Sequence, residues 1–225
     1  KTENSEENSM NRKSTAQEYY TLMIDKNGLM PAMHRDEAGA GLAASAFMDL
    51  TVNDIVAVEK KKITVIKELP DSLVYLEDLY TYLKEKSRQM EKMMTDFYAG
   101  SRNKKLAEKI GESLCKDGAA VEAKGGLFAP KRVFIPEKAY KDQLIGMIRS
   151  AVQEEEMAPR DVALVWLLQQ TNCLKQYFSK HESDQLKQKL KEMKKDPQNK
   201  QLAEMIDYVS DMTAVMAVVI VTSMN

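Results

Sequence analysis

Cysteine, histidine and tryptophan are scarce in this chain, whose 225 residues hold two, two and one of them. His34, His181, Cys115 and Cys173 show no ligand-like spacing, which argues against a zinc centre. A Ser-His-Asp or Cys-His arrangement would need one of those two histidines, and no serine or cysteine stands in a nucleophile-elbow sequence. A protein without catalytic residues, metal or cofactor is expected. Both cysteines lie in segments that read as apolar helix, so buried reduced thiols in a reducing, cytoplasmic setting follow.

Glycine and proline are also few, 9 and 6, while 44% of residues are hydrophobic and 30% charged. That excludes a largely disordered or many-stranded chain and suits one compact helical domain. An excess of either charge is missing too. With 33 Lys plus Arg against 34 Asp plus Glu, no whole-protein field draws in nucleic acid or an anionic bilayer, so any such attraction must be local. The longest apolar run, residues 212–221, falls well short of the ~20 residues that span a bilayer and reads as a buried helix. Residues 1–14 have no secretory pattern and read as a polar flexible leader to a single domain over residues 15–225.

The pattern along the chain is mainly α. Residues 15–24 form a first helix with Tyr19, Leu22 and Met23 on one face, stopped by Lys26, Asn27 and Gly28. After a loop holding Met33, His34 and Arg35, residues 38–50 form an alanine-rich helix. Two β-branched runs, residues 55–58 and 63–66, flank a charged tip and make a hairpin. Asp71 or Ser72 caps the helix bearing Leu73, Leu76, Tyr80 and Leu83, and a further helix carries Met90, Met93, Met94 and Phe97. Leu106, Ile110 and Leu114 mark another, ended by Gly118 in a left-handed cap. A second hairpin turns at Gly125 and Gly126. Beyond it the chain is helical, and the segments around Trp166 and Val218, apolar on every side, are expected to be two buried helices ringed by amphipathic ones.

Basic residues cluster at Lys60 to Lys62, at Arg102, Lys104, Lys105 and Lys109, at Lys131 and Arg132, and along Lys187 to Lys195. Each alone reads as solvated surface, so their value depends on convergence. Leu127 and Phe128, beside Lys131 and Arg132, form the kind of apolar hairpin that a membrane-surface contact requires. Gly39 and Gly41 lack the lysine of a phosphate loop and read as tight helix packing, although free amides at that helix start can hold an anion.

The order of these elements resembles the Golgi phosphoprotein 3 family, which has many bacterial members. The residues that carry the likeness are 19–25, the Gly41 to Leu50 helix followed by Ile55, residues 114–118 before the second hairpin, residues 159–168 leading to Leu174 and Phe178, and the terminal 206–221 helix. The resemblance implies a helical bundle ringed by amphipathic helices and hairpins, phosphatidylinositol 4-phosphate binding through one tryptophan and three arginines, and an apolar hairpin inserted into the bilayer. The tryptophan position falls on His34, with Arg35 adjacent; the arginine positions fall on Ala43, Lys104 and Ala107. The hairpin corresponds to Leu127 and Phe128.

The reading is therefore a non-enzymatic, peripheral, cytoplasmic adaptor with an anionic-phospholipid head group as its weak partner and no nucleic acid. Its head-group site would be His34, Arg35, Arg102, Lys104 and Lys105, and its membrane hairpin Leu127, Phe128, Lys131 and Arg132. It requires the Met33 to Arg35 loop to come within reach of Arg102 to Lys105. A scaffold without lipid ligand, open to protein partners or a homo-oligomer, is the alternative. Helices twice followed by hairpins also suggest a winged-helix DNA-binding regulator, but the Lys104 to Lys109 helix offers few base-reading side chains.

Overall fold

The computed structural model describes residues 12–125, 131–153, 157–195 and 214. The first helix, α1 (Thr15–Met23), opens with a capping box: Gln17 N donates to Ser14 Oγ, and Ser14 N donates to the Gln17 side chain. All nine of its residues are buried, Gln17 and Glu18 included, so α1 runs through the interior where a one-faced helix was expected. Arg12 grips both oxygens of the buried Glu18, at 2.7 and 2.8 Å, and also reaches Asp161. Arg12 to Ser14, assigned to the leader, are thus pinned to the fold.

Against α1 lies α2 (Arg35–Val52), buried from Ala38 to Leu50. Its small residues set the spacing: a Cβ on Gly41 would fall 2.1 Å from the Tyr19 hydroxyl. That hydroxyl lies 2.9 Å from Thr171 Oγ1 and 3.2 Å from Ala38 O, joining three segments through one buried polar atom. On α2, Asp49 accepts the Thr15 and Ala16 amides, both at 2.8 Å, and so caps α1 from the side. The third central helix, α7 (Pro159–Gln170), packs on both and buries Val162 to Val165, Leu167 and Leu168 completely, which is the Trp166 segment read as a core helix. The expected partner around Val218 lies outside the described residues.

Around this trio stand α3 (Glu77–Glu85), α4 (Met90–Phe97), α5 (Gly100–Lys116), α6 (Lys138–Gln153) and α8 (Lys180–Lys195). The amphipathic stripes of α4 and α5 are the ones the sequence shows, and Gly118 takes φ +69° after α5. Asp71 and Ser72 do not cap α3, because a 3-10 turn, Asp71–Leu76, intervenes and ends without a side-chain cap.

The first hairpin pairs β1 (Val56–Glu59) with β2 (Lys62–Val65) across Lys60 and Lys61, both at positive φ (49° and 64°), as a two-residue primed turn needs. A two-residue strand, β3 (Arg88–Gln89), extends it to three strands. The second hairpin pairs β4 (Ala120–Gly125) with β5 (Lys131–Pro136), Gly125 opposite Lys131 being its outermost described pair. Gly126, Leu127 and Phe128 lie outside the described residues, as do residues 1–11 of the leader and all of the terminal 206–221 segment except Ala214.

Candidate surface site where two helices begin

The starts of α2 and α5 meet. Asn103, buried on the first turn of α5, donates from Nδ2 to Gly39 O at 2.8 Å and to Phe97 O at 2.7 Å, so one amide ties α2 to the end of α4. Gly39 permits this, since a Cβ there would stand 2.4 Å from Tyr98 O. Arg35 is four residues before Gly39, one helical turn nearer the open end on the same face. Neither helix start has a side-chain cap, and the positive end of each helix dipole lies there.

The basic residues of α5 divide between its two flanks. Positions seven apart return to the same stripe, so Lys104 shares one with Glu108 and Gly111, whereas Arg102, Lys105 and Lys109 share another. The Lys104 stripe faces the second hairpin: a Cβ on Gly111 would sit 2.4 Å from the Phe134 ring, and Arg132 of β5 reaches Glu108 at 2.8 Å. Because the hairpin leaves the C-terminal end of α5 and returns alongside it, its Lys131 end approaches the end carrying Lys104. The loop before α2 packs on the other face of this hairpin, for a Cβ on Gly28 would lie 2.8 Å from Val133. Asn103 thus brings the start of α5, which carries Lys104, against the start of α2, which carries Arg35.

Arg102 and Lys105 turn the other way. Lys105 pairs with Asp78 at 2.7 Å and Arg102 with Asp96 at 3.5 Å, while the Arg102 guanidinium lies 5.0 Å from the Tyr82 ring centre. The cleft they line, about 500 Å³, also holds Glu77, Asp78 and Glu85, so its acids outnumber its bases. Of the five expected head-group residues, Arg102 and Lys105 are thus drawn into an acidic cleft, away from the Lys104 stripe. The seven-residue spacing was a signal for that split, but Asp78 and Asp96 arrive from other helices and leave none.

Among the described residues Arg35 and Lys104 are exposed and have no ion-pair partner. His34 is partly exposed, its Nδ1 3.9 Å from the Glu37 carboxylate. The two family positions that fall on alanine differ from these, Ala43 being fully buried and Ala107 half-buried. In the hairpin, Arg132 is saturated: it forks onto Glu122 at 2.8 and 2.9 Å and also reaches Glu108 and Glu112, which holds the Glu122 carboxyl below its ordinary range. Lys131 remains exposed. Sequence reasoning missed Asn103, the residue that joins the two helix starts.

Among the described residues no cluster of His, Cys, Asp or Glu could hold a metal, and no helix is long and apolar enough to cross a membrane. No curated protein matches the chain. The family model described as Golgi phosphoprotein 3 matches residues 16–209.

Proposed function

Because the chain belongs to the Golgi phosphoprotein 3 family, we propose that it works at the cytosolic face of a membrane as a peripheral, non-catalytic protein that binds anionic phospholipid head groups. The observation that carries this reading is the Asn103 bridge to Gly39, which sets two uncapped helix starts side by side, flanked by the unpaired cations Arg35 and Lys104. The positive ends of both helix dipoles favour an anion there. His34 adds a ring N–H beside Arg35, and Lys131 adds an exposed cation on the hairpin.

Asp36 and Glu37 occupy the first turn of the same helix, so attraction is modest and salt screens it readily. Binding by contact suits the other reactive groups as well. Burial raises the pKa of both thiols, Cys115 and Cys173, the direction that suppresses nucleophilicity.

Sedimentation with vesicles tests the reading. Binding should rise with the anionic lipid fraction and fall with added salt. Replacing Arg35 and Lys104 together by glutamine should weaken it roughly thirtyfold, at about 1 kcal/mol per basic residue near the surface. The Arg102→Gln, Lys105→Gln pair should change little, since those side chains answer Asp96 and Asp78. Equal binding by the Arg35, Lys104 variant and the parent would end the assignment.

A further inference from the structure

Resting on that reading, we propose that Met33 is an apolar anchor that enters the bilayer interface beside the head-group cations, so that this end of the molecule fits a lipid surface in preference to a dissolved anion. Met33 is 88% exposed, the most exposed large apolar side chain among the described residues. It sits in the 3-10 turn, Ala32–His34, that leads into α2, two residues before Arg35. Leu29, four residues earlier, is 40% exposed, while Met30 between them packs against the core.

A single exposed hydrophobic residue is ordinary on a protein surface. What sets Met33 apart is its company. Val52, also exposed, lies at the opposite end of α2, about 25 Å away at 1.5 Å per residue. Met33 instead stands two residues before the unpaired Arg35, at the helix start to which Asn103 ties the Lys104-bearing start of α5, and an apolar tip beside basic residues is the arrangement that interfacial binding uses. The turn is braced, because Gly28 closes against Val133 at one side and α2 begins at the other. An unbranched thioether adapts readily to the irregular interface of head groups and acyl chains.

The experiment compares Met33→Ser with the parent chain, using vesicles containing anionic lipid and, separately, inorganic phosphate. About tenfold weaker vesicle binding with unchanged phosphate binding is expected, a difference of about 1.4 kcal/mol. A second variant, M33W, should show a blue shift of the added tryptophan emission with vesicles and none with phosphate. Vesicle binding by Met33→Ser as tight as the parent's, an equal loss toward phosphate, or no emission shift would each overturn the anchor. Failure of the parent to bind any anionic vesicle would instead overturn the function it rests on.

Discussion

Gly41→Val is expected to cost about 4 kcal/mol, enough to leave much of the protein unfolded at moderate temperature. The site has no slack: a Cβ would meet the Tyr19 hydroxyl at 2.1 Å, Tyr19 Cζ at 2.5 Å and Thr171 Cγ2 at 2.8 Å. Tyr19 cannot move away without giving up its contacts with Thr171 and Ala38 in a fully buried position, so overpacking and an orphaned hydroxyl add together. Denaturant titration would read the change as a lower midpoint at constant slope. Coupling is the sharper check. Tyr19→Phe removes the nearest clashing atom, so Gly41→Ala should be less harmful in that background than alone. A midpoint unmoved by Gly41→Val would contradict the packing described.

The second large effect is at Asp49. Asp49→Ala should cost about 3 kcal/mol, because it strands the Thr15 and Ala16 amides at the buried start of α1. The pH dependence has a definite sign. Burial raises the Asp49 carboxyl above its usual 3.8, although the Ala16 and Thr15 amides pull the other way. The folded state then holds the proton more tightly than the unfolded chain does. Its contribution is complete below the unfolded value and is lost as pH rises through the folded one. The stability of the parent relative to Asp49→Asn should therefore be greater near pH 4 than near pH 7. A gap that widened as pH rose would show that the amides, not burial, dominate.

Much of the architecture was legible because its signals are local. Leu106, Ile110 and Leu114 repeat at helical spacing and bury one side of α5, and Gly118 ends that helix in the conformation glycine favours. Burial of α1 was not legible, since Gln17 and Glu18 are polar in sequence and become interior only when Arg12 and Ser113 supply partners from elsewhere. The strand β3 was invisible for another reason: two residues have no period. Its existence depends on β2 offering a free edge to Arg88 and Gln89.

For the candidate site, residue types were legible and their grouping was not. Arg102, Lys104 and Lys105 are near neighbours in sequence, yet Asp78 and Asp96 claim two of them from other helices. Arg132 likewise reads as a free cation until Glu108, Glu112 and Glu122 close around it. Tertiary pairing, which no periodicity reports, decides which charges stay available to a ligand.

Val133 has Gly28 on the turn leading to α2 and Gly125 on the opposing strand, both too close to carry a Cβ. The segment ahead of α2 is thereby fitted to the hairpin with no room to spare, so a larger side chain at either glycine would pry the two apart.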